Sequence, residues 1–171
     1  EGKSINQFVI KPEEVKYAIS KDAVKQRIND DVNSYRIALR AIASSTNKRS
    51  LIVTLLPPQT SSVHSLFSEK YADEVPLKNK IFMVGILNSY VIDFLLRQLI
   101  SINVSLIFVQ QMPIPKMDEV KDASQIVQIS KALLQENKGY YEDLNHLVEG
   151  DAYQEYSHDE LIAELNARVM I

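Results

Sequence analysis

The chain has 171 residues, of which 46% are hydrophobic and 24% are charged, and its net charge is −3. This size and composition are ordinary for one folded globular domain. The sequence contains no cysteine, which excludes disulfide bonds and thiolate metal sites. No stretch has the pattern of a signal peptide, and the longest apolar run, 81–92, is too short to cross a bilayer. We therefore expect a cytoplasmic chain with no membrane partner.

The charges are distributed unevenly along the sequence. Residues 1–60 hold ten basic and six acidic residues, whereas residues 121–171 hold four basic and ten acidic residues. The overall acidity argues mildly against a nucleic-acid-binding protein, which is usually basic. The basic first third, however, indicates where an anionic ligand would bind.

Residues 1–34 are polar and charged, and their apolar residues are too sparse to define an element. Pro12, Glu13 and Glu14 have the composition of a helix start. The sequence begins without Met, and its last residues interrupt a helical pattern. We interpret residues 1–34 as a lead-in segment from an upstream domain, and the chain as a piece of a longer protein.

Two predicted strands follow the lead-in segment. In residues 35–43 successive side chains fall alternately on the two faces of a predicted strand, which places Arg36 and Arg40 on the same face. Turn-forming residues fill 44–50, and the β-rich apolar run 51–56 ends at a double proline. The pattern predicts an antiparallel hairpin whose second strand is buried on both faces.

The middle of the chain gives weaker signals. Residues 59–80 read as a loop, and helical spacing predicts a helix over 89–100. Residues 81–87 fit a helix or a strand, with a break near Asn88 and Ser89. Residues 104–109 are predicted to form a short strand that two nearby prolines terminate.

The C-terminal part has a helical pattern from residue 118 onwards. One helix extends towards residue 138 and stops at Gly139, and residues 140–148 suggest a second one. Ser157 and Glu160 have the spacing of a capping box ahead of a final amphipathic helix.

Together these patterns predict an α+β fold, with a small, mainly antiparallel sheet, packed helices and a C-terminal helical segment. We expect residues 35–117 to form the core unit and residues 118–171 to form the helical segment.

The motifs of common catalytic sites are absent from the sequence. There is no glycine-rich phosphate loop and no Gly-x-Ser-x-Gly nucleophile elbow. The three histidines, His64, His146 and His158, have no partners at metal-ligand spacing. We therefore expect that this chain alone is not an enzyme.

Three blocks of sequence are similar to those of one known family. Residues 35–58 contain an arginine strand, a Thr-Asn-x-Arg turn, an apolar strand and Pro-Pro. Residues 87–98 contain Leu-Asn-Ser and then Asp-x-x-x-Arg, and residues 109–115 end in Pro-Ile-Pro. Residues 160–169 form the third block. In this order the blocks resemble the C-terminal target-recognition region of type IIG restriction–modification enzymes and of phage-defence N6-adenine DNA methyltransferases.

The resemblance implies a DNA target-recognition domain without a catalytic site of its own. The family's Asn-Pro-Pro-Tyr motif and its glycine motif for S-adenosylmethionine are both absent from this sequence. The resemblance therefore places the methyl-transfer site and S-adenosylmethionine in a missing upstream domain, and no cofactor in this chain. The implied partners are double-stranded DNA and that methyltransferase domain. The alternative is a structural or partner-docking module of the same enzyme, without contacts to bases.

The candidate DNA-binding residues lie in the arginine strand, the turn and the segment before residue 81. They are Arg36, Arg40, Thr46, Asn47, Lys48, Arg49, Lys78 and Lys80. Arginine pairs with guanine and asparagine with adenine through two hydrogen bonds, and lysine contacts phosphate.

Three of these candidates also have a structural interpretation. Arg36 and Arg49 are suited to holding the hairpin, for example by pairing with Asp93, and Asn47 to capping the turn. Arg97 is expected to serve in packing or in a salt bridge. One basic face formed by 35–56 and 78–80 would favour DNA binding, whereas internal pairing of these residues would favour the structural alternative.

Overall fold

The computed structural model describes residues 4–11, 18–20, 22–24, 32–43, 47–62, 64–100, 103–137, 139–150, 153 and 155–169. The strands are β1 (Ile5–Asn6), β2 (Val9–Ile10), β3 (Arg36–Arg40), β4 (Val53–Leu56) and β5 (Leu66–Ser68). The helices are α1 (Leu77–Leu87), α2 (Tyr90–Arg97), α3 (Leu106–Gln110), α4 (Ala123–Gln135), α5 (Leu144–Leu147) and α6 (His158–Val169). The fold is α+β, with antiparallel sheets, packed helices and a C-terminal helix, as the sequence predicts.

The main sheet has three strands in the order β4-β3-β5. The predicted hairpin is confirmed, because β3 pairs antiparallel with β4 and Arg36 lies opposite Leu56. All four residues of β4 are buried, which confirms that this strand is covered on both faces. Strand β5 lies in the segment predicted as a loop, and it was missed because three residues are too few to show an alternating pattern.

The described part of the lead-in segment belongs to the same hydrophobic core. Strands β1 and β2 form a second, two-stranded sheet. Phe8 lies in the turn between them with a φ of 60°, and its side chain is fully buried. Its amide donates to the carbonyl oxygen of Val53 at 3.0 Å, which ties the turn to β4. The helix start predicted at residues 12–14 lies outside the described residues.

Helices α1 and α2 confirm both the helical reading of 81–87 and the break after it. The backbone leaves the helix at Asn88 and Ser89, and the Ser89 hydroxyl accepts a hydrogen bond from the Ile92 amide at the start of α2. Among the described helices, none alone has the length and hydropathy of a membrane span. Helices α1 and α2 pass that test only together, across a bend of 59°.

The strand predicted at 104–109 is wrong, because residues Leu106–Gln110 form helix α3. The Ser105 hydroxyl accepts from the Ile107 amide at 3.3 Å, a local cap that favours the helix. In the described part of this segment, strand-like pairing is limited to the antiparallel bridge between Ile42 and Asn103. A short apolar run is compatible with either conformation, so its composition alone could not decide.

Helix α4 packs on α1, α6 packs on α4, and buried residues of the C-terminal helices belong to the same hydrophobic core as α1. Gly85 marks the closest approach: a Cβ atom there would collide with Ser130 Oγ and would lie 3.1 Å from Ile126 Cγ2. Glycine therefore allows α4 to approach α1 closely.

The end of α4 and the start of α6 follow the sequence signals. Helix α4 ends at Gln135, before Gly139, whose φ is +88°. The predicted second helix is shorter than expected and covers only Leu144–Leu147. The capping box is confirmed, since the Ser157 amide donates to Glu160 Oε2 at 2.8 Å and the Glu160 amide approaches Ser157 Oγ at 3.4 Å.

Candidate nucleic-acid interface

Asp93 in the first turn of α2 fixes the loop that precedes β4. Its Oδ1 accepts hydrogen bonds from the amides of Ser50 and Leu51, at 2.8 Å and 2.7 Å. Its Oδ2 accepts from Nε of Arg97 at 2.9 Å, one helical turn later. Because the carboxylate is buried, these charge-assisted bonds are made largely away from water and hold the loop firmly.

Arg97 extends these contacts to the tip of the same loop, and we call Asp93 and Arg97 together the clamp. Its Nη2 donates to the carbonyl oxygens of Asn47 and Lys48, at 2.6 Å and 2.7 Å. Of the two roles expected for Arg97, the salt bridge is confirmed by its bond to Asp93. The side chains of Asn47 and Lys48 remain exposed while their backbone is held from behind.

Asn88 completes the support of the loop at the break between α1 and α2. Its Oδ1 accepts from the Val53 amide at 3.1 Å, and its Nδ2 donates to the Val53 carbonyl oxygen at 2.9 Å. The buried side-chain amide of Asn88 thus bonds both the N–H and the C=O group of Val53, the first residue of β4, as a neighbouring strand would.

Arg49 lies between the loop, α2 and the β1–β2 turn. Its Nε donates to Gln7 Oε1 at 2.9 Å, and its Nη2 donates to the carbonyl oxygen of Asn88. Its guanidinium carbon stands 4.3 Å from the centre of the Tyr90 ring, within the range of a cation–π contact. Its Nη1 is 4.0 Å from Asp93, so the pairing with Asp93 considered above is confirmed.

A groove opens on the outer side of this supported loop. We call it the basic groove; its polar walls are formed by Asn6, Gln7, Arg40, Asn47, Lys48 and Arg49. Tyr90 and the first residues of α6, His158 and Asp159, complete the rim. Its volume is about 540 Å³, and β3, the loop, the β1–β2 turn and two helices all contribute to it.

The groove is electropositive. Among the described residues that line it, Arg40, Lys48 and Arg49 are basic and Asp159 is the single carboxylate. Arg40 donates to the carbonyl oxygen of Ile5 and lies 3.4 Å from Asn6 Oδ1, and both of these acceptors are neutral. Burial lowers the pKa of Arg40. Burial also lowers the pKa of Arg49, against the opposing effect of Asp93. Both guanidinium groups nevertheless keep their charge, because arginine does not deprotonate in proteins.

Two of the predicted DNA-binding residues lie inside the protein instead. Arg36 has an exposed fraction of 0% and donates to the Thr60 carbonyl oxygen. Lys80, exposed by only 2%, donates to the Tyr35 and Ala72 carbonyl oxygens at 2.7 Å and 2.5 Å. These positions do not fit contact with DNA. The alternating pattern of β3 placed Arg36 and Arg40 on one face but could not show that the chain around Thr60 covers that face at Arg36.

The structure therefore brings together half of the predicted site. Arg40, Asn47, Lys48 and Arg49 line one groove. Lys78 is exposed on α1, and it does not line the groove. Thr46 lies outside the described residues.

Among the polar wall residues of the groove, sequence reasoning missed Asn6 and Gln7, which come from the lead-in segment. Their neighbours gave no clear periodicity, and a contact between positions more than thirty residues apart leaves no local signal. The only cue was the interruption of an apolar stretch by two amides.

No protein-family profile, curated protein or solved structure matches the chain. Among the described residues, no group of three or more His, Asp or Glu side chains is arranged to hold a metal ion. The family resemblance accordingly rests on the motif residues quoted above.

Proposed function

We propose that this chain is the DNA target-recognition domain of a restriction–modification adenine methyltransferase and that it contacts duplex DNA through the basic groove. The observation that carries the proposal is the convergence of Arg40, Asn47, Lys48 and Arg49 on one electropositive groove. Positive charge supplies affinity for the phosphate backbone, and amide and guanidinium groups are suited to base edges.

The clamp behind the loop supports this function in a second way. Asp93 and Arg97 together bind the backbone of four loop positions, 47, 48, 50 and 51, while the side chains of Asn47 and Lys48 remain exposed. A loop that is already ordered loses less conformational entropy when it binds a partner. Asp93 and Arg97 thus hold the loop in place, and the exposed side chains of Asn47 and Lys48 contact the DNA.

In this proposal the chain binds DNA and another part of the enzyme performs the chemistry. The methyl-transfer site and S-adenosylmethionine belong to an upstream methyltransferase domain in the cytoplasm, and this chain contributes no catalytic residue and no cofactor. It acts by holding the duplex so that the adenine selected by sequence reaches the catalytic domain.

A structural or partner-docking module is the second candidate. It is favoured by the internal pairing of Arg36, Lys80 and Arg97, whose charged groups bind the protein's own backbone. It is also favoured by Phe94 and Ile107, each of which exposes 63% of its surface on α2 and α3. Such exposed apolar side chains suit a protein partner better than DNA.

Duplex binding by matched lysine variants separates the two candidates. Binding of the chain to a randomised duplex pool is measured by fluorescence anisotropy over a series of salt concentrations. We expect Lys48→Ala to weaken binding to all sequences and to reduce the salt slope by about one. Lys121→Ala, at an exposed position away from the groove, is the control and should leave the slope unchanged.

Sequence selectivity is tested with Asn47→Ala in the same pool. If Asn47 contacts a base, the variant loses discrimination worth about 1–3 kcal/mol at one position of the selected sequences. A folded chain that does not bind duplex DNA even at low salt would contradict DNA recognition and would favour the docking module.

A further inference from the structure

Arg40 carries a positive charge that its surroundings do not neutralise. It is half-buried at the end of β3, and its two hydrogen-bond acceptors are the Ile5 carbonyl oxygen and the Asn6 side-chain amide. Its Nε is buried and has no hydrogen-bond partner among the described residues. No carboxylate lies within ion-pair distance of it in the described part of the chain. A cation removed from water without a counter-charge is costly, so an anion at this position would be stabilising.

The neighbouring cations strengthen this effect. Lys48 is exposed on the same groove, and among the described residues it too has no carboxylate partner. Arg49 is 4.0 Å from Asp93, but that carboxylate already accepts a bond of 2.9 Å from Arg97 and so neutralises Arg49 only in part. The chain as a whole has a net charge of −3, so the positive charge of the groove is a local feature.

The groups around Arg40 are donors of the kind that bind phosphate oxygens. The Arg40 guanidinium, the Lys48 ammonium group and the side-chain amide of Asn47 line the same groove. Arginine holds two oxygens at once through its planar donors, and lysine adds a point charge. Arg49, whose guanidinium is fixed by Gln7 and by the Tyr90 ring, adds positive charge without having to move.

We infer that the basic groove contains a seat for one phosphate group, with Arg40 and Lys48 as its ligands and Arg49 as a fixed neighbouring positive charge. The inference rests on the proposed function in one respect, because the phosphate is then a diester of the DNA backbone. The same chemistry also suits a free phosphate ion or a phosphate monoester, and the experiment distinguishes these sources. Asn47 remains the residue that reads a base.

The seat is tested first with inorganic phosphate as the probe. The Nε resonances of the arginine side chains are followed by NMR during titration with phosphate, at constant ionic strength maintained with chloride. We expect the Arg40 resonance to shift and to saturate. Arg40→Gln should weaken phosphate binding by about tenfold or more, because a charge-assisted hydrogen bond is lost.

Matched variants show whether a loss belongs to the seat or to the fold. Arg168→Gln changes another partly exposed arginine that lies outside the groove, and it should bind phosphate normally. Lys48→Gln changes an exposed side chain and is expected to fold as the wild type does while also weakening binding. Circular dichroism confirms the fold of each variant.

Duplex DNA provides the second arm. If a duplex displaces phosphate and Arg40→Gln weakens both ligands, the seat holds a backbone diester. If phosphate binds through Arg40 but the duplex does not compete, the seat stands, its ligand is a free phosphate or monoester, and the proposed DNA-binding function fails. If the wild type does not bind phosphate and Arg40→Gln leaves duplex binding unchanged, the seat is refuted while DNA recognition survives.

Discussion

The carboxylate of Asp93 accepts the backbone amide of Leu51 at 2.7 Å, although the two residues are 42 positions apart in the sequence. This bond joins the first turn of α2 to the residues that lead into β4. It links two of the blocks that carry the family resemblance, since 35–58 and 87–98 meet here. The motif residues Asp93 and Arg97 therefore hold the loop backbone, and Asn88 holds the start of β4. Together they position the groove.

Removal of the Asp93 carboxylate should be strongly destabilising. In Asp93→Ala the amides of Ser50 and Leu51 and the Arg97 guanidinium lose their shared acceptor in a buried position. We expect the free energy of unfolding to fall by about 3–5 kcal/mol, measured by urea denaturation. Asp118→Ala, at an exposed carboxylate, should change it by less than about 0.5 kcal/mol. Similar losses in both variants would show that the clamp has no special role.

Replacement of Asn88 by aspartate removes the donor group from a buried side-chain amide that bonds both backbone groups of Val53. The Val53 carbonyl oxygen then faces a carboxylate oxygen instead of Nδ2. We expect Asn88→Asp to lower the free energy of unfolding by about 2 kcal/mol or more, because an unsatisfied acceptor and a buried charge remain. Asn79→Asp, on the exposed side of α1, serves as the control. Equal stability of the two variants would contradict the strand-like role of Asn88.

The contact between α1 and α4 gives a test with an internal rescue. A methyl group in Gly85→Ala would collide with Ser130 Oγ, and we expect a loss of about 1–3 kcal/mol through overpacking. Ser130 Oγ is buried without a hydrogen-bond partner in the described structure, so Ser130→Ala should be neutral or stabilising. The double variant should recover part of the loss, measured as a coupling energy in thermal denaturation. Strict additivity would mean that Ser130 is not the obstacle.

Alkaline pH should weaken the packing between the sheet and α5. Burial, together with the hydrogen bond to Asp143, raises the pKa of Tyr35 above its usual range. Burial likewise raises the pKa of Tyr141, whose hydroxyl donates to the Leu55 carbonyl oxygen. A folded-state pKa above the unfolded value of about 10 stabilises the fold below pH 10, and this contribution is lost as the pH rises further.

The free energy of unfolding should therefore stay level towards pH 9 and fall above pH 10. Tyr35→Phe should make that fall shallower, because one of the shifted groups no longer ionises. Tyr71→Phe, at a tyrosine with 65% of its surface exposed, should keep the wild-type profile. Urea denaturation at each pH measures the effect. A Tyr35→Phe profile as steep as that of the wild type would show that Tyr35 does not contribute.

The hairpin, the capping box and helices α2, α4 and α6 were predictable because their signals are local. Alternation, the double proline and the Ser157–Glu160 spacing each act over a few residues. Strand β5 and helix α3 were missed or mistaken because three to five residues span less than two full periods of a strand or a helix. Their conformations depend on neighbours that are distant in the sequence.

The candidate site shows the same limit. The sequence locates the charged residues and allows a pairing of Arg49 with Asp93. The sequence does not show that Arg36 and Lys80 are internal, since their burial depends on how the chain around Thr60 and Ala72 covers them. Asn6 and Gln7 reach the groove only because Phe8 docks on β4.

The most direct test of the central claim is amide hydrogen exchange of the chain with and without a bound duplex at low salt. If DNA lies in the basic groove, we expect slower exchange over residues 5–10 and 47–52 when the duplex is present, and no change in α4. Protection confined to α2 and α3, around Phe94 and Ile107, or the absence of any protection, would contradict the account.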